Sequence, residues 1–399
     1  MMKNLPEDIM KEILLRLPVK SLLRFRCVSQ DWQCLISDSS FITLYQNRNS
    51  RKENLSLFIT DYYTKTFYTV EDNSCCKLFD MPAFTSTQLN GDIRSLCIRN
   101  RVVGSCNGLL CLISSVFRPS NILYREFIYL FNPTIRKLKK LPHSCRCICL
   151  NYLETRLGFG FDPISKDYKV VKIVYSYDNR TKSRIDHKDV WVYSLNSDHW
   201  RKLGDHIPVP IPIPIPILIP SQRLELPSRT PIVNAAIHWL VSSWDKSSYS
   251  IFSFDLVHEV FNELPQPPEN GRFEDIVVVG GCLSVFSRGR HSISYYLMEM
   301  WVMKEYGVKE SWTKQIIVLN SDACLYKPVE SWDDEILFQH EQKNLVLYNI
   351  KSKTERDPGI HGLPAHCKAL THTKSLAMLK GLRTSMQGDG RKGKEEEEQ

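Results

Sequence analysis

From Leu55 onward the sequence is a succession of short runs rich in Val, Ile, Phe, Tyr and Trp, separated by Gly, Asn, Asp and Pro. Runs of this composition are typical of β-strands, and the separators are typical of turns. No segment of ten residues with a helical period interrupts them. Parallel strands would need helical crossovers, so the pattern predicts an all-β domain. The predicted strands are 55–60, 67–70, 101–104, 109–113, 127–131, 169–176, 190–195, 237–241, 250–254, 277–279, 282–286, 300–303, 316–318, 336–339 and 345–348.

A weak repeat is visible within this region. An aromatic strand ends in Asn or Asp at residues Asn132, Asn196, Asp255 and Asn349, and a short tail with a bulky residue follows each of them. Asn and Asp accept turn geometry and cap turns with their own side chains. Irregular repetition of β-units favours the blades of a β-propeller over a sandwich. Trp239, Trp301, Trp312, Phe159 and Phe161 are predicted to lie largely buried in its core.

The N-terminal stretch from Leu5 to Phe41 has a different texture and predicts three short helices. In the first, Ile9, Ile13 and Leu17 recur every four residues, which places one apolar stripe on one face. Pro18 ends this helix because proline cannot continue it. Two shorter apolar faces follow before Phe41.

This stretch contains more apolar side chains than three small helices can hide from water. We expect Leu5, Pro6, Ile9, Leu14 and Leu22 to stay partly exposed unless another surface covers them. Two interpretations are open. The helices are either a subdomain packed on the chain's own larger domain or a docking module for the helices of a partner.

The stretch resembles an F-box over about forty residues. The resemblance rests on Leu-Pro at 5–6, the acidic pair at 7–8, RLPVKSL at 16–22, RFRCVS at 24–29 and Trp32. F-box proteins bind Skp1 through this element and so join a cullin-based SCF ubiquitin ligase. The resemblance therefore implies a Skp1-like partner, and a cullin reached through it. The residues that it assigns to Skp1 binding are Leu5, Pro6, Ile9, Ile13, Leu14, Leu17, Pro18, Leu22, Leu23, Phe25, Arg26, Val28, Trp32 and Leu35.

The β-domain resembles the plant F-box-associated interaction domain, which is often described as F-box/kelch-repeat. The resemblance runs from roughly Arg101 to Gly362 and keeps the family's order. The matching stretches are 104–110, 132–136, 157–162, 167–171, 192–200, 237–240, 251–255 and 301–313. One departure is the sequence Asn-Ala-Ala at 234–236, where the family usually has Asn-Gly-Ala and a turn that favours glycine.

The second departure is an insert at 207–220, IPVPIPIPIPILIP, which alternates proline with Ile, Val or Leu. Each proline fixes φ and removes a hydrogen-bond donor, so the run is expected to form an extended polyproline II segment. Two interpretations are open: the apolar side chains form a stiff segment that a partner recognises, or the insert is an expanded surface loop.

Composition narrows the classes of partner. The net charge is +8, but the charges are interspersed and form no basic block with aromatic residues, which argues against nucleic acid. No run approaches the length of a membrane span, and no apolar signal segment follows the N-terminus. Thirteen cysteines at irregular spacing are expected to be free thiols in a reducing compartment, the cytoplasm or the nucleus.

Two groups of possible metal ligands lack the spacing of zinc sites. Cys145, Cys147 and Cys149 alternate on one face of a strand and are interpreted as buried free thiols. The other group comprises His361, His366, Cys367 and His372. His238 is interpreted as a core histidine that donates to the backbone. No nucleophile elbow or phosphate-binding loop is present, so we predict no catalytic residue, metal or cofactor.

The predicted organisation is an all-α F-box module at 1–46, a linker at 47–54, a β-propeller-like domain with kelch-like blades at 55–371 and a disordered charged tail at 372–399. The resemblance implies the substrate receptor of an SCF ubiquitin ligase, without catalysis of its own. A protein-interaction scaffold independent of Skp1 and a propeller enzyme are the alternatives.

Recognition of a protein substrate is expected in the loops that match the family least. These loops are 114–125, 177–188, 207–220 and 288–295. An acidic patch on the substrate would suit the basic residues Arg180, Lys182, Arg184, Lys188, Arg288 and Arg290.

Overall fold

The structure is a computed structural model of the 399-residue chain. It describes residues 6–48, 55–61, 66–71, 74–80, 97–118, 123–144, 153–177, 185–204, 230–242, 249–269, 273–288, 297–321, 326–332, 334–341, 344–377 and 379. The insert at 207–220 and Cys145, Cys147 and Cys149 lie outside the described residues.

Four helices form the N-terminal module: α1 Glu7–Leu14, α2 Val19–Phe25, α3 Gln30–Ser37 and α4 Ser39–Arg48. The three predicted helices are confirmed, and α4 is an addition. Asp38 begins it, because the Asp38 carboxylate accepts hydrogen bonds from the backbone N–H groups of Ser40 at 2.9 Å and Phe41 at 3.1 Å. A hydrogen bond from the Ser40 hydroxyl, together with these backbone bonds, holds the pKa of Asp38 below its usual value.

The described β-strands form six antiparallel sheets of four strands each, which are the blades of a propeller. Blade one consists of β24 Cys367–Thr373, β1 Leu55–Asp61, β2 Thr66–Glu71 and β3 Ser74–Asp80, and blade two of β4 Cys97–Cys106, β5 Leu109–Arg118, β6 Leu123–Asn132 and β7 Lys137–Lys140. Blade three consists of β8 Leu153–Asp162, β9 Asp167–Tyr177, β10 Ile185–Ser194 and β11 His199–Lys202, and blade four of β12 Ile232–Val233, β13 Ala236–Ser242, β14 Tyr249–Asp255 and β15 Phe261–Leu264. Blade five consists of β16 Phe273–Val279, β17 Cys282–Arg288, β18 Leu297–Met303 and β19 Trp312–Val318, and blade six of β20 Tyr326–Trp332, β21 Glu335–His340, β22 Asn344–Asn349 and β23 Thr354–Arg356.

The ring closes by pairing the two ends of the chain. β24 lies antiparallel to β1, with Leu55 opposite Thr373 and Asp61 opposite Cys367. The innermost strands are β24, β4, β8, β12, β16 and β20, and neighbouring blades meet around the axis through them, with β13 making the contacts where β12 is short. The propeller prediction is therefore confirmed, with six blades.

Aromatic and aliphatic side chains fill the spaces between blades. Trp239, Trp301, Trp312 and Phe159 are buried as predicted, while Phe161 is half-buried. The indole N–H of Trp239 donates to the carbonyl of Leu157 in the neighbouring blade, at 3.3 Å. The Trp239 ring thus satisfies the rule that an indole N–H away from water needs a partner.

The predicted strands all fall within observed ones, except that Leu195 lies in the turn after β10. Several strands were missed because they are short and polar or interrupted by glycine. β8 contains Gly158, where an added Cβ would lie 2.6 Å from Ile237 and 2.7 Å from Trp239. The glycine is therefore required by close packing of two blades, although it weakens the sequence signal for a strand.

The turn between β12 and β13 carries the departure from the family pattern. Asn234 has φ 51° and Ala235 has φ 55°, so both central residues are left-handed. Such turns favour Asn-Gly, because a Cβ in this conformation costs about 1 kcal/mol. We expect Ala235→Gly to raise the free energy of unfolding by about 1 kcal/mol, measured as a higher melting temperature.

Ala236→Gly is the matched control for this change. Ala236 is buried in β13 with ordinary strand geometry, so glycine there should lower stability. A melting temperature of Ala235→Gly equal to or below that of the wild type would contradict the strain at this turn.

The ordered chain continues past the predicted boundary at 371. β24 ends at Thr373, and Ser375, Leu376, Ala377 and Leu379 are buried. α4 likewise continues to Arg48, inside the segment predicted as a linker. The predicted disorder of the tail concerns residues that, from 380 onward, lie outside the described part of the chain.

Candidate functional site

The first helix presents an apolar surface that the described part of the chain leaves uncovered. Ile9 and Ile13 lie one helical turn apart on α1 and are 48% and 49% exposed. Val28, in the turn between α2 and α3, is 66% exposed. We refer to Ile9 and Ile13 as the α1 stripe. The prediction that the first helix exposes apolar side chains is therefore confirmed at Ile9 and Ile13.

Two residues expected to be exposed lie inside the module instead. Leu14 and Leu22 are buried in a cluster with Phe41 and Tyr45 of α4. The expectation that they stay partly exposed is wrong, because it counted three helices and the fourth covers them. Leu14 and Leu22 therefore stabilise the packing of the helices and do not themselves contact a docked partner.

The remaining residues assigned to Skp1 binding divide by exposure. Pro6 and Pro18 are exposed, and the ring of Phe25 packs edge-on against Trp32 with ring centres 5.1 Å apart. The half-buried members of the set are Leu17, Leu23, Phe25, Arg26, Trp32 and Leu35. Leu5 lies outside the described residues.

A short segment after β24 joins the helical module to the propeller. Leu376 is buried among the helices, whereas Ala377 and Leu379 are buried between blades two and three. The side-chain amide of Gln46 in α4 donates to the Ser375 hydroxyl at 2.9 Å and to the Asn107 carbonyl at 3.2 Å. We call residues 374–377 and 379 the strap.

The propeller holds the strap through the end of β6. The side-chain amide of Asn132 donates to the carbonyls of Ser375 at 3.0 Å and Ala377 at 2.9 Å. Its carbonyl oxygen accepts from the backbone N–H of Thr134 at 2.9 Å, which confirms the turn-capping role predicted for Asn132. Gly108 has φ 81°, and an added Cβ would lie 2.1 Å from that of Ser375. The strap therefore needs glycine at this position.

These contacts define two faces of the propeller. The turn at Asn107 and Gly108, between the first and second strands of blade two, contacts the helical module, so we call this side the helical face. Because the strands of each blade are antiparallel, connections between first and second strands and between third and fourth strands lie at this face. Connections between second and third strands, and those between blades, lie at the opposite side, the far face.

The four stretches predicted to recognise a substrate are bordered by strand ends of the far face. Three of them connect the second and third strands of blades two, three and five, and the insert at 207–220 falls between blades three and four. The loops are shorter than predicted, because β5 extends to Arg118 and β10 begins at Ile185.

The basic residues proposed for these loops are not all loop residues. Lys188 is half-buried within β10, opposite Tyr175 of β9, and Arg288 is the last residue of β17. Arg180, Lys182, Arg184 and Arg290 lie outside the described residues.

The histidine next to Trp239 is a core residue. His238 is buried, with Nδ1 3.2 Å from the Pro231 carbonyl and Nε2 2.8 Å from the Tyr306 hydroxyl. Burial lowers its pKa to about 4. This environment confirms the interpretation of His238 as a structural histidine.

Within the described ranges, no group of His, Cys, Asp and Glu is arranged to hold a metal ion. In the same part of the chain, none of the helices has the length and apolar character needed to cross a bilayer.

The buried histidines predict a stability loss in mild acid. His238 and His372 both have pKa values lowered by burial to about 4, against 6.5 for the unfolded chain. Between these values the unfolded chain binds more protons, so stability should fall as pH decreases from about 6.5 to 4. The melting temperature measured across this range should fall more steeply for the wild type than for His238→Gln. Equal slopes would contradict a neutral buried His238.

Comparison with known proteins places these features in a family. Residues 2–44 match the F-box domain, and residues 55–380 match the F-box associated beta propeller domain. An F-box/kelch-repeat protein of Arabidopsis thaliana is 29% identical over 357 residues, which covers 88% of each chain. The F-box protein CPR1 of the same plant is 27% identical over 396 residues, covering 94% of this chain and 89% of the relative.

The domain match spans nearly the whole propeller and the strap, and the F-box match spans the four helices up to α4. The F-box match comes first in the chain and the propeller match follows it, as the helical module precedes the propeller in the structure. The protein therefore belongs to the family in which an F-box precedes an F-box-associated β-propeller.

Proposed function

We propose that the protein is the substrate-recognition subunit of an SCF ubiquitin ligase, with the F-box bound to a Skp1-like protein and the propeller bound to the protein to be ubiquitinated. F-box domains generally bind Skp1. The observation that carries the proposal is the α1 stripe, two isoleucines about half exposed on a module in which Val28 and Leu44 are exposed as well. A partner's helices would remove this surface from water. Catalysis of ubiquitin transfer would belong to the partner subunits.

The way the helical module is attached to the propeller supports separate binding sites for Skp1 and for the substrate. The helical module is attached at the helical face, where the strap and Gln46 fix it to blade two. The far face is turned away from the module and carries the longest connections between blades. A substrate on the far face would leave the F-box free for Skp1.

The deciding experiment combines reconstitution with substrate capture. The full chain, mixed with a Skp1-like protein and a cullin, should elute as one complex in size-exclusion chromatography. Proximity labelling in cells under proteasome inhibition should then enrich proteins that accumulate only when the F-box is intact. A chain that captures partners but binds no Skp1 would instead be a scaffold that acts apart from the ligase.

A loop exchange locates the substrate surface. We expect replacement of 119–122, 178–184, 205–229 or 289–296 by a Gly-Ser linker to leave Skp1 binding intact, with at least one replacement abolishing capture of the labelled partners. Replacement of 351–353, in the exposed turn between β22 and β23 on the helical face, is the control and should leave capture unchanged. Capture retained in all four far-face variants would contradict recognition by these loops.

A further inference from the structure

The outermost strand of blade five is longer than those of blades two, three, four and six. β19 has seven residues, WTKQIIV, whereas β7, β11 and β15 have four each and β23 has three. All seven residues of β19 pair with β18 in one unbroken register. Long edges without proline or a bulge are avoided in most soluble proteins, because their unpaired backbone groups accept a further strand.

Two hydrogen bonds show which residues of β19 direct their backbone groups away from β18. The N–H of Lys304 donates to the carbonyl of Ser311 at 3.2 Å, so Ser311 faces the neighbouring strand. The N–H of Val318 instead donates to the hydroxyl of Tyr348 in blade six, at 3.2 Å. In an antiparallel pair, successive residues alternate between facing the partner strand and facing away from it. The residues of β19 whose backbone groups face away from β18 are therefore Trp312, Lys314, Ile316 and Val318.

The half of β19 near the helical face is covered by blade four. Trp312 is buried, and its indole N–H donates to the carbonyl of Pro265 at 3.0 Å. The ammonium group of Lys314 forms ion pairs with Glu269 at 2.6 Å and with Glu299 at 3.0 Å. This lysine is the charged residue of β19, and its ion pairs hold it against the blade.

The half of β19 near the far face is uncovered. β19 is the last strand of its sheet, and the backbone N–H and C=O of Ile316 have no hydrogen-bond partner among the described residues. The side chains of Ile316 and Val318 are 55% and 43% exposed. Both lie on the same face of the blade, since side chains alternate along a strand. We call Ile316 and Val318, with their outward-facing backbone groups, the β19 edge.

We propose that the β19 edge binds an extended segment of the substrate protein as an added antiparallel β-strand. The backbone donor and acceptor of Ile316 specify this kind of ligand, because the backbone of another strand matches both. Residues of the segment opposite Ile316 and Val318 would be aliphatic, since directly opposed side chains on one face contact each other. This inference rests on the proposed function. Val318 lies opposite Leu297, which directly follows the stretch 289–296 of the far face.

A second copy of this chain fits the β19 edge less well than a substrate segment does. A symmetric antiparallel pair centred on Ile316 would set Val318 of each copy opposite Lys314 of the other. Because the Val318 N–H already donates to Tyr348, such a pair would lose a ladder hydrogen bond at both of its ends. A substrate segment would lose this hydrogen bond at one end.

The test uses the full chain and three libraries of short synthetic peptides in which Val or Ile alternates with random polar residues. The first library has an ordinary backbone, the second carries N-methyl groups on its apolar residues, and the third carries them on its polar residues. In an antiparallel pair, the apolar residues opposite Ile316 also supply the N–H groups that face β19. We therefore expect the chain to retain the first and third libraries and to lose the second.

The pattern of retention decides the proposal. Retention of the second library with loss of the third would support an added strand that runs parallel to β19, because the pairing N–H groups then belong to the polar residues. Failure to retain the first library would overturn the proposal. Equal behaviour of the two methylated libraries would overturn it as well, since strand pairing depends on one set of N–H groups.

Paired lysine variants show whether the β19 edge is responsible. Ile316→Lys combined with Val318→Lys should weaken retention of the first library about tenfold, which corresponds to about 1.4 kcal/mol. Lysine on an edge opposes strand addition. Ile164→Lys combined with Val260→Lys is the matched control, because it changes exposed aliphatic residues in turns at the helical face. Unchanged retention by the first pair, or the same loss in both pairs, would refute the assignment.

Parallel measurements separate folding, self-association and ligase function. Ile316→Pro removes an outward-facing N–H without breaking the ladder to β18, and should also reduce retention if the paired variant proves unstable. A wild-type dimer in size-exclusion chromatography that the paired variant converts to a monomer would assign the edge to a second copy and overturn the substrate assignment. Skp1 binding without retention of the first library refutes the added strand alone, whereas a wild type that binds no Skp1 refutes the ligase role.

Discussion

Replacing Ile9 and Ile13 with glutamate should abolish co-purification of a Skp1-like protein while the propeller remains folded. Both side chains are about half exposed, so the free protein accommodates the charges at little cost. In a complex, each glutamate would be desolvated against an apolar partner surface. Losses of about 2 kcal/mol or more at each of two anchor positions would together weaken binding by at least about 700-fold.

The measurement is a pull-down with purified Skp1-like protein, together with a melting curve for each variant. Ile164→Glu is the matched control, because Ile164 is exposed in the turn between β8 and β9, outside the helical module. It should leave Skp1 retention unchanged. Full retention by Ile9→Glu with Ile13→Glu would refute the assignment of the α1 stripe to Skp1.

The exposure of Ile9 and Ile13 could be predicted from the sequence, but the burial of the neighbouring Leu14 and Leu22 could not. The four-residue spacing of Ile9 and Ile13 is a local property and survives in the structure. The burial of Leu14 and Leu22 depends on α4, whose apolar residues form no simple stripe and follow a polar segment. A prediction from three helices alone therefore overestimates the number of apolar side chains that a partner must cover, because α4 already covers some of them.

The propeller illustrates the same limit at a larger scale. The second and third strands of its blades contain most of the aromatic and aliphatic runs, as in β5, β13 and β18, so these strands and the β-architecture follow from composition and period. The outer strands are three or four residues long in several blades, as in Lys137–Lys140 and Thr354–Arg356, and carry mostly polar side chains. Blade one pairs Leu55 with Thr373, residues from opposite ends of the domain, which no local pattern reveals.

The attachment of the helical module to the propeller depends on contacts that are distant in the sequence. Ser375 and Leu376 follow the last strand and read as the start of a tail, yet Asn132 and Gln46 hold that segment in place. Sequence patterns identified the turn-capping Asn132 but could not assign its second pair of hydrogen bonds.

The Trp239→Ala variant should lose about 3–5 kcal/mol of stability, enough to leave a propeller of ordinary stability largely insoluble. The indole is 6% exposed and lies between blades three and four, against Ile237, Phe261 and the backbone of Gly158. Truncation would open a cavity and leave the Leu157 carbonyl without the indole N–H that it accepts at 3.3 Å.

Soluble yield and melting temperature measure this loss, and two variants serve as controls. Trp239→Phe keeps much of the ring volume and should melt between the wild type and the alanine variant. Trp200→Ala changes a half-buried tryptophan on the outer strand β11, whose indole donates to Pro142 at 2.7 Å, and should cost less. Because the two tryptophans differ chiefly in burial, equal losses would show that inter-blade packing at Trp239 does not control stability. Wild-type melting of Trp239→Ala would contradict the burial of this residue altogether.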